Sequence, residues 1–150
     1  MPDRIWVDAD SCPVKIREII VRGAARKNCT AFFCANRKIP IPDDNHAKMI
    51  ITTHSDADSY IIGKVKPGEL VITRDIPLAA KLLEKGAIVI NDRGFVFDDD
   101  SIREKLSVRN FSYELRASGL YKANDNEFSV KDIRLFASKF DTVLNRFYTS

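Results

Sequence analysis

The succession of elements predicts an α/β protein. Three layers, α/β/α, surround a parallel sheet of about five strands, and further helices follow from about residue 100. Three observations point there. Short apolar runs rich in β-branched residues alternate with stretches whose apolar residues recur every three or four positions. The stretch from Leu70 to Ile90 reads as a complete strand–helix–strand crossover, the connection that parallel strands require. Acidic residues also follow the strand ends: Asp8 and Asp10 after Ile5-Trp6-Val7, Asp75 after Leu70-Val71-Ile72-Thr73, and Asp92 after Ala87-Ile88-Val89-Ile90-Asn91.

Ile5–Val7 is the first strand. Pro13 suits the first position of a helix, with Ser11 or Cys12 as cap, and Val14, Ile16, Ile19, Ile20 and Ala24 carry that helix to about Arg26. Thr30–Cys34 is strand-like. From Ala35 to Lys48 the prolines and Asp43-Asp44-Asn45 indicate an irregular loop. Met49–Thr53 is a short β-branched strand, Asp56–Lys64 a short helix and Lys66-Pro67-Gly68 a turn.

Leu70–Thr73 is a near-continuous apolar strand, as one covered on both faces should be. Pro77 opens a helix that Gly86 closes, and Ala87–Ile90 is the next buried strand. Ser101-Ile102-Arg103-Glu104 has the form of a capping box, and a further helix is expected over Val108–Ala117, ending at Gly119. Leu120–Glu127 is a polar loop. Ser129 and Asp132 then cap a last amphipathic helix with Ile133, Phe136, Phe140, Val143 and Leu144 on one face. Without a repeat or low-complexity tract, residues 1–150 are expected to form one domain.

The chain is 45% hydrophobic and 30% charged, enough apolar material for a real core and not the balance of a disordered segment. No apolar run approaches the ~18 residues of a membrane span, and the N-terminus lacks a signal-peptide layout. A cytoplasmic location is expected. Cys12, Cys29 and Cys34 show no C-x-x-C spacing, and only His46 and His54 accompany them. Reduced, buried thiols are expected rather than a zinc site. The net charge of +3 arises entirely after residue 100, where nine Lys and Arg face six Asp and Glu. That asymmetry suits a phosphate backbone and equally suits a solvated helical surface. The oligomeric state is open, a homodimer included.

The carboxyl edge of an open parallel sheet is where ligands bind, at the point where strand order reverses. Two carboxylates about 5 Å apart repel by roughly 3 kcal/mol at an effective dielectric near 20. A cluster therefore needs a cation or retained protons, and hard cations such as Mg²⁺ take such oxygen ligands. Capping the helix at Pro13 accounts for Asp10 or Ser11 but not for Asp8, placed directly after an apolar strand. Asp75 has a capping reading too, beside Pro77, and Asp92 a turn reading within Asn91-Asp92-Arg93-Gly94. Acidic residues at 56 and 58 complement the dipole of a short helix. Arg74 can pair with an acidic neighbour or hold a phosphate; Arg93 is a candidate phosphate contact, and Arg116 reads as a helix-end cation that can also steady a phosphate. Cys12 lies near a helix N-terminus, yet no histidine stands by to activate it.

Ile5-Trp6-Val7-Asp8-Ala9-Asp10-Ser11-Cys12-Pro13, Ala57-Asp58, the run from Pro67 to Ala79, Lys85-Gly86-Ala87, Asn91 with Arg93-Gly94, and Leu115-Arg116-Ala117-Ser118-Gly119 resemble the YaiI/YqxD family of bacterial proteins over nearly the whole chain. That family resembles PIN-like domains, whose parallel α/β/α sheets carry acidic residues that bind Mg²⁺ or Mn²⁺ and often cleave RNA. The resemblance implies Asp8 and Asp10 at a first acidic station, Asp58 at a helical one and Asp75 at a third. Asp92 falls where PIN-type nucleases often place a fourth acid.

The function expected is metal-dependent hydrolysis of phosphodiesters in RNA or single-stranded nucleic acid. Asp8, Asp10, Asp58, Asp75 and Asp92 would serve as ligands to Mg²⁺ or Mn²⁺, with Asp8, Asp10 and Asp75 central to catalysis. Arg74, Arg93 and Arg116 would contact the backbone. Two alternatives stay open. One is a phosphatase resembling haloacid dehalogenases with Asp8 as nucleophile, although Cys12 occupies the place of the usual small hydroxyl residue. The other is a non-catalytic nucleic-acid-binding or partner protein.

Overall fold

Five parallel strands form the sheet: β1 (Arg4–Asp8), β2 (Thr30–Ala35), β3 (Ala47–Ile51), β4 (Leu70–Ile72) and β5 (Ile88–Ile90). Their spatial order is β3-β2-β1-β4-β5. The computed structural model describes residues 2–10, 12–52, 56–107 and 128–148. Its helices are α1 (Val14–Arg26), α2 (Ala57–Lys64), α3 (Ile76–Glu84), α4 over residues 99–107, and α5 (Val130–Phe147). The expected three-layer α/β arrangement is the one found.

Alternation along the strands divides the core. Ile5, Val7, Leu70, Ile72 and Phe33 face α1 and α5. Trp6, Val71, Val89 and Cys34 face α2, α3 and α4. Side chains of neighbouring strands stay in step because Ile5 lies beside Leu70 and Val7 beside both Ile72 and Phe33. Buried Phe136 and Phe140 of α5 stack with centroids 5.2 Å apart; each contributes about 1.5–3 kcal/mol by leaving water. Gly23 lets α5 approach α1, since a Cβ there would come within 2.5 Å of the Phe140 ring.

Helix ends follow backbone demand. α3 closes with Gly86 in the left-handed region at φ +82, where its N–H reaches Leu83 O and that of Ala87 reaches Leu82 O. Asn28, at φ +53, closes α1 in the same way. The expected Ser129–Asp132 capping box opens α5. Three expectations are corrected. Pro13 stands at the N-cap of α1 without a side-chain cap bond, so the helix begins one residue later than expected. α4 is opened by Asp98: its carboxylate accepts from the Ser101 N–H at 2.7 Å, while the Ser101 hydroxyl accepts from the Asp98 N–H at 2.8 Å. A carboxylate at the positive end of a helix is the stronger acceptor, which makes Ser101 the third residue rather than the cap. β3 begins at Ala47, not Met49, because Ala47 already pairs with Ala31. The helix expected over Val108–Ala117, the loop Leu120–Glu127 and Thr53 lie outside the described residues.

The amino edge of the sheet is closed by polar groups. Tyr148 Oη donates to Arg4 O at 2.6 Å and accepts from the Leu70 N–H at 2.7 Å, bridging β1 and β4. Buried Glu69 accepts from Arg4 Nε at 2.7 Å and from Trp6 Nε1 at 3.1 Å. Among the described residues no helix is long and apolar enough to cross a membrane.

Candidate functional site

β1 and β4 are neighbours, yet their outgoing connections diverge: β1 leads to α1 on one face, β4 to α3 on the other. The sheet therefore opens between their carboxyl ends, the usual crevice for a ligand in this topology. Ile5–Val7 of β1 and Leu70–Ile72 of β4 are apolar and buried, and the chain turns polar after them at Asp8 and at Thr73-Arg74-Asp75.

Asp8, Asp58 and Asp75 come together here. Asp8 is the last residue of β1, half-buried, and its Oδ2 accepts from the Thr73 hydroxyl at 2.8 Å. Burial raises its carboxyl above the ordinary range, with Asp75 and Asp10 pushing the same way and Thr73 and Arg74 opposing. Asp75 caps α3, its Oδ1 accepting from the Leu78 N–H at 3.0 Å, and its own N–H donates to Thr73 Oγ1. Asp58 stands in the first turn of α2. Its carboxyl is pushed up to about 6, first by partial burial, then by the charges of Asp75, Asp8 and Asp56, and by a hydrogen bond with Asp75 that favours the protonated form. The cap reading and the cluster reading of Asp75 thus hold together: one oxygen serves the helix, and the carboxylate still faces its acidic neighbours.

Asp10 is exposed at the rim. Its Oδ1 accepts from the Asn36 N–H at 3.3 Å, and it lies close enough to Asp8 to raise it. Asp92 has a different neighbour. It is buried in the turn after β5, and its Oδ2 accepts from Arg74 through Nε at 3.1 Å and also through the terminal nitrogen. Its Oδ1 is buried without a hydrogen-bond partner among the described residues. Beside it is a cavity of about 10 Å³ bordered by Asp8, Cys12, Ile72, Thr73, Arg74 and Asp92, room for about one water. Asp92 as an ion ligand and Arg74 as a phosphate contact thus compete with their bond to each other. Arg93 pairs with Asp132 of α5 at 3.4 Å and lies over the Phe128 ring. Arg116 lies outside the described residues.

Among the described residues no three His, Cys, Asp or Glu side chains are set as a finished cage for an ion. The donor chemistry nevertheless suits one: Asp8, Asp58 and Asp75 are all hard carboxylate oxygens. Below about pH 6 a proton retained on Asp58 relieves the repulsion, the alternative to a cation. All three cysteines are buried and unpaired. Burial, then the Asp92 charge, pushes the Cys12 thiol up to about 12, so it is not a thiolate at neutral pH. Thr73, which orients Asp8, escaped the sequence reading. A hydroxyl at the end of an otherwise apolar strand was its only signal.

A sequence model of an uncharacterised family, YaiI/YqxD, matches residues 6–146. Relatives named only as UPF0178 proteins include one from Treponema denticola, 48% identical over 94% of this chain and 91% of its own length. Another, from Treponema pallidum, is 46% identical over 91% of this chain and 78% of its own. A third, from Shewanella sp. strain ANA-3, is 41% identical over 95% and 97%. No solved structure matches the chain. With a match over nearly its whole length and relatives this similar, the chain belongs to the YaiI/YqxD family.

Proposed function

We propose that this chain is a cytoplasmic, metal-dependent phosphodiesterase acting on RNA or single-stranded nucleic acid. The observation that carries the reading is the crowding of Asp8, Asp58 and Asp75 at the opening between β1 and β4, where partial burial and then the neighbouring charges push Asp58 up to about 6. Asp8, Asp58 and Asp75 would hold Mg²⁺ or Mn²⁺, with Asp10 at the rim. When bound, the ion supplies an acidified water and a positive charge beside the attacked phosphate. The chain's own residues do the rest. Thr73 fixes Asp8 through its hydroxyl, and the Leu78 N–H at the start of α3 holds Asp75 in place. Arg74, held beside the opening by Asp92, would exchange part of that bond for a phosphate oxygen.

Calorimetric titration with Mn²⁺, combined with cleavage of a labelled single-stranded RNA, tests the reading. The wild type should bind and cleave; Asp8→Asn with Asp75→Asn should lose both while keeping its far-ultraviolet dichroism. No Mn²⁺ heat and no turnover with any divalent ion would remove the enzyme reading and favour a non-catalytic binder.

A further inference from the structure

A second feature begins at the same sheet edge. α1 starts beside Cys12, which borders the cavity next to Asp8, and α5 passes Gly94 near its start, where a Cβ would meet Leu135 O at 2.6 Å. Both helices then run towards the amino edge, where Tyr148 meets Arg4 and Leu70. A groove of about 460 Å³ lies between them, with Ile19 and Phe140 as its apolar floor and Arg22, Arg26, Ser138 and Asp141 around it.

The two arginines are one turn apart on one face of α1. Arg22 is exposed and has no hydrogen-bond or ion-pair partner among the described residues. Arg26 reaches across the groove to Asp141 at 2.6 Å, with both side chains about half exposed (51% and 53%). An exposed pair of this kind holds its members by no more than about 1 kcal/mol, so Asp141 orients Arg26 without using up its donors. Arg134, three residues before Ala137 and four before Ser138, adds a cation to the same face of α5. Cations along a shallow groove match the charged surface of a single strand, its phosphates.

We infer that this groove between α1 and α5 binds the phosphate backbone of single-stranded nucleic acid, and that Arg22 and Arg26 are its principal contacts. The inference deepens the proposed function by assigning the course of the strand away from the acidic edge. At 1.5 Å of rise per residue, Arg22 and Arg26 lie about 12 and 18 Å along α1. At about 3.4 Å per stacked nucleotide, that is roughly four to five nucleotides from the edge.

The test is fluorescence anisotropy of a labelled 12-nucleotide oligo-uridylate in EDTA at low salt, where cleavage plays no part. Arg22→Ala with Arg26→Ala should weaken binding about ten-fold and flatten the salt dependence by one to two units, as the loss of about two phosphate contacts requires. Lys48→Ala with Lys64→Ala, removing the same charge elsewhere, should change binding less than two-fold. Asp8→Asn with Asp75→Asn should bind at least as well as the wild type, which separates this result from failure of the catalytic reading. No binding by the wild type, equal loss in both double variants, or equal displacement by polyglutamate would overturn the assignment.

Discussion

Asp58 carries the charge conflict of the site and makes it measurable. Its carboxyl is pushed up to about 6 from 3.8, so the folded chain holds a proton that the unfolded chain has released between about pH 4 and 6. Stability therefore falls as pH rises through that window and stays lower above it. In EDTA, Asp58→Asn should melt about 1–3 °C above the wild type at pH 8, a modest gain because the group is partly solvated. The gain should vanish at pH 4; a pH series of thermal melts reads it, and a constant offset would assign the effect to packing. Asp8 stood out in the sequence because a carboxylate directly after a buried apolar strand has few structural uses; Asp75, past Thr73-Arg74 and with a capping use of its own, stood out only by sharing that sheet edge. That Arg74 could pair with an acidic neighbour was legible too; that the neighbour is Asp92 was not, since strand-end position says nothing of which way a long side chain turns.

At the level of elements, the loop after β5 anchors the C-terminal helix. Gly94 adopts φ +84 and sits against the backbone of Leu135 and Phe136. Gly94→Ala should destabilise the chain by about 2–4 kcal/mol, through left-handed strain and direct collision, read as a shift in the urea midpoint. Ser129→Ala removes one side of the α5 capping box and should cost about 1 kcal/mol. Midpoints within error of wild type in both would mean that α5 does not depend on this docking. The crossover from Leu70 to Ile90 and the Ser129 box were readable because local chemistry decides them. The start of β3 and the cap of α4 were not: one is set by pairing with β2, the other by reciprocal bonds in which Asp98 accepts from the Ser101 N–H and Ser101 from the Asp98 N–H.

Across the whole molecule, the contact between β1 and β4 holds the two halves of the sheet together, and Tyr148 is shared between them. Tyr148→Phe leaves the N–H of Leu70 and the carbonyl of Arg4 without this partner and should lower stability by about 2–4 kcal/mol. Chemical denaturation measures it, and a loss under 0.5 kcal/mol would show that water replaces the hydroxyl. The alignment of Ile5 with Leu70 also joins segments far apart in the chain. Such distant pairings form slowly, because a long loop must close before any contact rewards it. The three carboxylates thus meet only as that closure occurs, and their mutual repulsion is absent from the extended ensemble. Stopped-flow refolding should run faster at pH 5 than at pH 8, with protons shielding the encounter; matched rates would place the encounter beyond the folding barrier.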